Sequence, residues 1–207
     1  MNKQKWYSLI DKVNRVKNLE NAWKQVKANR GAAGIDGVII KDFGKDIHGK
    51  IEKLSQDIMT KCYVPKPVSR VEIKKATCGI RPLGIPSIGD RVAQRSARNV
   101  LEPIFEPKFL DCSFGFRPGR SAHMAIDRIK LFLEAGYVWV IDADIKGFFD
   151  NVDHDWLIKF LGHDIADKKL IELIKKFLIV GIMDAGNYQE SEQGTPQGGL
   201  CKASHNY

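Results

Sequence analysis

The stretch Val138-Trp139-Val140-Ile141-Asp142-Ala143-Asp144-Ile145-Lys146-Gly147-Phe148-Phe149-Asp150 begins apolar and ends among carboxylates. Residues 137–141 have the composition of a short buried strand. Period-two geometry places Asp142 and Asp144 on one face where that strand ends. A carboxylate at a strand end is a natural magnesium ligand, because hard oxygen donors suit that ion. Two-metal sites use pairs of such ions to clamp the attacking and leaving oxygens of a displacement. The same spacing also describes aspartates that close a strand and open a turn, and the pattern alone leaves both readings open.

On the N-terminal side the chain is rich in helix signals. Asn18 is expected to cap a helix with Leu19, Ala22, Trp23 and Val26 on one face. Gly31-Ala32-Ala33-Gly34-Ile35-Asp36-Gly37 ends it as a turn. A second amphipathic helix begins after Asp42 and carries Ile47, Ile51, Leu54 and Ile58. Residues 68–74 alternate as a half-buried strand, residues 76–79 turn, and residues 80–85 return, which predicts a basic β-hairpin. Ser87 opens a helix that runs to about Leu101 and ends before Pro103. Ser121 caps another, which Gly136 stops. On the C-terminal side two helices are expected near residues 153–161 and 166–179, then a hairpin about residues 185–187. Helices first and mixed structure later indicate an α+β fold. The division is soft, near 1–110 and 111–207.

The 207 residues carry a formal net charge of +8, which points to an anionic partner and to nucleic acid above all. The charge is uneven. Residues 64–98 hold eight bases against two acids, whereas residues 141–164 hold six acids against two bases. A basic surface beside an acidic site suits a polyanion and divalent cations together. The four cysteines are scattered with no Cys-x-x-Cys pair, which argues against a zinc site or disulfide framework and fits a reducing cytoplasm. No apolar run approaches membrane-spanning length, and no signal-peptide core is visible.

Five blocks stand in a recognisable order: Gly31 to Gly37, Arg81-Pro82-Leu83-Gly84-Ile85-Pro86, Phe114-Gly115-Phe116-Arg117-Pro118-Gly119-Arg120-Ser121, Asp144 to Asp150, and Gly194-Thr195-Pro196-Gln197-Gly198-Gly199. In this order and spacing the chain resembles the group II intron-encoded reverse transcriptases and maturases. The resemblance implies reverse-transcriptase fingers and a partial palm, with a helix-rich N-terminal region, a β-hairpin and a small antiparallel palm sheet. It implies that residues 1–110 form the N-terminal extension and fingers. Residues 111–207 would form the partial palm with interleaved fingers helices. It makes Asp144 the catalytic aspartate, with the Ile145 carbonyl helping to hold a metal. Lys75 and Arg81 would meet the triphosphate, Phe149 would gate the ribose 2′-position, and Gln197 would border the nucleotide. Arg117 and Arg120 would contact nucleotide or backbone. Asp150 is expected to be structural, Phe148 a core aromatic, and His154 a helix-start residue rather than a metal ligand.

The family copies RNA into DNA and assists splicing of its intron. The implied cofactor is magnesium, two ions in the complete site. The implied partners are intron RNA and template, a DNA or RNA primer, and deoxynucleoside triphosphates, with no membrane. After Gly199 the sequence departs from the family pattern, and the Tyr-x-Asp-Asp strand does not appear among these residues. With one of the family's three carboxylates, the chain alone is expected to be inactive. An unpaired palm edge is expected to favour self-association. The rival readings are a non-catalytic RNA-binding module and an inactive gene remnant.

Overall fold

A computed structural model of the chain describes residues 5–74, 80–184 and 186–195. Its helical core is built by α1 (Ile10–Val13), α2 (Val16–Ala28), α3 (Ile40–Phe43), α4 (Ile47–Met59), α5 (Ile88–Phe105) and α8 (Lys168–Ile179). The expected faces are the buried ones. Leu19, Ala22, Trp23 and Val26 of α2 meet Ile51, Leu54 and Ile58 of α4 and Val92, Ala93 and Ala97 of α5 in one cluster. Leu170 and Leu173 of α8 enter the same cluster. Fully burying one such aliphatic side chain contributes about 1.5–3 kcal/mol.

Two side chains join elements far apart in sequence. Asn18 lies inside the first turn of α2 instead of capping it, because its amide has another use. Its Nδ2 donates to the carbonyl of Ser96, 3.0 Å away on α5, and to that of Lys12, 3.0 Å away at the end of α1. Its Oδ1 accepts from Asn99 at 3.1 Å. Asp167 caps two helices at once. Oδ1 accepts from the Lys169 and Leu170 amides of α8, while Oδ2 accepts from Leu9 and Ile10 at 2.7 and 2.8 Å, where α1 begins. Ser87 caps α5 as expected, with Oγ accepting from the Asp90 amide. The helix continues through Pro103 to Phe105. A proline this close to the end removes only one bond of the ladder.

The hairpin forms from β1 (Val68–Lys74) and β2 (Ile80–Ile85), antiparallel, with Ser69 opposite Ile85 and Ile73 opposite Arg81. β3 (Ile182–Asp184) and β4 (Asn187–Gln189) extend it into a four-stranded sheet of order β2-β1-β3-β4. The sheet is mixed rather than wholly antiparallel, because β3 runs parallel to β1. Gly181 lies just before β3, under the Tyr188 ring; a Cβ there would be 2.4 Å from it.

The remainder of the chain is more open. α6 (Ala122–Glu134) is capped by Ser121 and followed by Gly136 at φ +92°, as expected, yet it buries none of its residues. Residues 137–141 are not the expected buried strand. They form no ladder, and Trp139 and Ile141 are 93% and 94% exposed. A strand is held by hydrogen bonds to a neighbouring strand, and no described strand pairs with these residues; the Tyr137 amide donates instead to the Phe132 carbonyl of α6 at 3.1 Å. α7 (His154–Leu161) then precedes α8.

Candidate functional site

The acidic segment is shaped by local turns. Gly147 adopts the left-handed conformation, and residues Phe148–Asp150 make one 3₁₀ turn. Asn151 Nδ2 donates to the Gly147 carbonyl at 2.8 Å and fixes the turn from below. Asp142 and Asp144 are exposed on the irregular segment ahead of it. The Ile145 carbonyl accepts from the Phe148 amide at 3.3 Å, which leaves it a second lone pair. Phe149 is half-buried, with its ring 5.3 Å from that of Phe148. Phe148 itself is half exposed rather than a core aromatic, because α6 and residues 137–141, its neighbours along the chain, build no apolar layer over it.

The glycine-rich segment is sewn onto this turn. The Gly194 amide donates to the Val152 carbonyl at 2.8 Å, and the Thr195 amide to the Phe149 carbonyl at 2.7 Å. His154, at the expected helix start, is buried, and its Nε2 donates to the Gly194 carbonyl at 2.7 Å. Gly194 sits at φ +80°, and a Cβ there would lie 2.7 Å from the Asp150 carbonyl oxygen. The missing side chain of Gly194 thus lets this segment lie close against the Phe149–Asp150 backbone. Gln197, Gly198 and Gly199 lie outside the described residues, as does Lys75.

The hairpin that would carry Lys75 and Arg81 has a rigid root. Buried Asp90 accepts from Tyr63 Oη at 2.5 Å, Ser87 Oγ at 2.7 Å and the Lys66 amide at 3.1 Å. Lys66 precedes β1 and Ser87 follows β2, so one carboxylate ties both ends. Burial, then the Asp90 charge and hydrogen bond, push the Tyr63 phenol far above its ordinary pKa. The 31–37 loop closes over the same root. Asp36 pairs with Lys66 Nζ at 3.0 Å. Gly34 lies so close that a Cβ would be 2.6 Å from Ser87 Cα. Arg91 donates to the Ala32 carbonyl at 2.5 Å. Burial lowers the Arg91 pKa against the opposing pull of Asp36, and the group stays cationic.

Arg117 is held within its own loop. Its side chain is 7% exposed, paired with Glu106 at 2.8 Å, and it donates to the Leu110 and Ser113 carbonyls. Arg120 pairs with Asp111 at 3.1 Å. Asp90, Tyr63, Asp167 and the His154 bond escaped the sequence reading, because long-range pairing leaves no periodic signature.

Magnesium fits the donor types of the acidic turn, the Asp144 carboxylate and the Ile145 carbonyl. Among the described residues no three His, Cys, Asp or Glu side chains gather as a metal cluster. Residues 1–4, 75–79, 185 and 196–207 contain no aspartate or glutamate.

A reverse-transcriptase fold is therefore the class that these elements define. The sequence matches the reverse transcriptase (RNA-dependent DNA polymerase) family over residues 73–202. The chain is 41% identical over 182 residues to the group II intron-encoded protein LtrA of Lactococcus lactis subsp. cremoris, covering 86% of this chain and 30% of that protein. It is 36% identical over 188 residues to protein YkfC of Escherichia coli K12, covering 88% and 49%. It is 38% identical over 94 residues to nuclear intron maturase 2, mitochondrial, of Arabidopsis thaliana, covering 45% and 13%. A partial Cas6-RT-Cas1–Cas2 complex shares the fold, with TM-score 0.57 and 22% identity over 92% of this chain and 32% of that one. This chain belongs to the reverse transcriptase family, in its group II intron-encoded branch. It spans half or less of the length of these relatives. Among the described residues no helix is long and apolar enough to cross a membrane.

Proposed function

We propose that this chain is the fingers and partial-palm portion of an RNA-directed DNA polymerase and maturase that binds intron RNA and, when complete, copies RNA into DNA. One observation carries the reading. The Gly194–Thr195 segment and the Phe149 turn, two motifs distant in sequence, are hydrogen-bonded to each other at 2.7 Å. In this reading Asp144 and the Ile145 carbonyl hold magnesium, which neutralises charge on the nucleotide phosphates when bound. Lys75 and Arg81 would screen the triphosphate from the hairpin, Gln197 would border the base, and Phe149 would crowd a ribose 2′-hydroxyl. Arg117, engaged by Glu106, would shape its loop rather than reach the nucleotide. Template and intron RNA, a DNA or RNA primer and deoxynucleoside triphosphates are the partners. A cytoplasmic setting agrees with the free, exposed Cys62 and Cys112.

The 207 residues alone should not polymerise, since among the described residues no cluster of three metal-ligating side chains forms at Asp144, and residues 1–4, 75–79, 185 and 196–207 hold no aspartate or glutamate. RNA binding is the testable activity. Affinity for structured RNA should fall steeply with salt, as phosphate contacts release counterions. Asp144→Ala should leave that affinity unchanged while removing magnesium-dependent nucleotide binding. An Asp144→Ala chain that binds magnesium-dATP like the parent would remove Asp144 from the site and favour the non-catalytic RNA-binding module.

A further inference from the structure

His154 is a buried imidazole that the proposed chemistry does not use. Its Nε2 lies 2.7 Å from the Gly194 carbonyl oxygen. An acceptor there requires Nε2 to carry the proton, which holds for the Nε2–H tautomer and for the imidazolium alike. Burial shields the bond from competing water, so an unmade partner would be costly.

We propose that His154 is a positioning residue that latches the glycine-rich segment onto the Phe149 turn, so that two sides of the nucleotide pocket move as one. The inference rests on the pocket reading above. Among the described contacts at Gly194 and Thr195, the backbone bonds to Val152 and Phe149 depend on the segment already lying in place. His154 supplies the side-chain bond that holds it there. Gly194 contributes the space, since a Cβ would strike the Asp150 carbonyl. His154 also opens α7 directly after Asp153, whose Oδ1 accepts from the Trp156 amide at 2.9 Å. The latch is therefore mounted on a capped helix end.

The test compares His154→Ala, His154→Gln and His154→Asn in the 207-residue chain. Glutamine places an amide N–H near the Nε2 position, and asparagine falls short of it. Amide exchange at Gly194 and Thr195 should be about tenfold faster in His154→Ala and within about threefold of the parent in His154→Gln, with α8 unchanged. Unchanged exchange in His154→Ala, or glutamine as fast as alanine, overturns the latch. Where His154→Ala fails to fold, the glutamine–asparagine contrast decides in the same way. Magnesium-dATP is then titrated into each protein. Affinity should drop about tenfold with alanine and recover with glutamine, following the exchange result. Equal affinity in all variants overturns the positioning role. A parent chain that binds no dATP sinks the pocket reading instead, and the exchange comparison alone then judges the latch.

Discussion

Tyr63 Oη donates to Asp90 Oδ1 at 2.5 Å, and both groups are buried beneath the root of the β1–β2 hairpin. The other Asp90 oxygen accepts from Ser87 Oγ and the Lys66 amide. A single carboxylate thus fixes where the hairpin leaves the helical core and where it returns. Tyr63→Phe removes one donor and leaves a buried carboxylate oxygen short of a partner. The expected loss is about 1–3 kcal/mol in urea unfolding. A change below about 0.5 kcal/mol would mean that Asp90 is satisfied without the phenol.

The same pair makes a pH prediction. The Tyr63 pKa is raised in the folded state, by burial first and by Asp90 second. Its stabilising contribution is complete below the unfolded tyrosine value near 10 and is lost as pH rises above it, because the unfolded chain then releases a proton that the folded chain keeps. Of the five tyrosines, Tyr63 should stay protonated until the protein unfolds. Ultraviolet titration in the parent and in Tyr63→Phe checks this. All tyrosines ionising together in a still-folded parent would refute it.

Asp167 divides its two oxygens between two helix starts. Asp167→Ala uncaps both, with an expected loss of about 3 kcal/mol. Asparagine normally caps almost as well as aspartate, but its amide offers only one oxygen. Asp167→Asn should therefore satisfy one helix, turn a donor toward the other, and lose more than half as much as alanine. A near-neutral Asp167→Asn in urea unfolding would contradict the double cap.

What the sequence revealed follows the range of the forces involved. The α2 and α4 faces, the Ser87 and Ser121 caps and the Gly136 stop are local features, and each is where its pattern places it. Asn18 looked like a cap because capping is the local use of asparagine; its actual partner, Ser96, is on another helix. Residues 137–141 looked like a strand by composition, but composition does not supply a hydrogen-bonding neighbour. At the site, motif order identified the Phe149 turn and the Gly194 segment. That they touch, through the Thr195–Phe149 bond beside the His154 bond to Gly194, depends on loop packing that periodicity does not encode.

Gly34 and Gly37 should fail for different reasons when substituted. Around Gly34 the space is filled by the Pro86 and Ser87 backbone, which does not yield as a flexible side chain does. Gly37 faces open space but sits at φ +67°. Gly37→Asn should cost under about 1 kcal/mol, since asparagine tolerates the left-handed region. Gly34→Asn should cost about 1–3 kcal/mol and free the 31–37 loop from Lys66 and Arg91. Proteolysis of the loop with urea unfolding measures both. Equal behaviour of the two variants would discard the steric account of Gly34.

Stability should also be graded along the chain. An isolated helix of this length is marginal in water, and α6 buries none of its 13 residues. Residues 137–147 are exposed and hold no helix or ladder. By contrast, α2, α5 and α8 share one apolar cluster, and Asp167 joins α8 to α1. Local opening follows the amount of buried apolar contact. Amides of α6 should therefore exchange at least about a hundredfold faster than those of α2 and α5, a gap of about 2.7 kcal/mol. The exposed Val138, Trp139, Val140 and Ile141 form an apolar run that would favour self-association if it extends as an unpaired edge. Sedimentation at rising concentration, repeated with Trp139→Lys and Ile141→Lys together, tests that consequence. Uniform protection from α5 through residue 147 in a monomeric chain would show that this segment is held by packing that its exposure does not reveal.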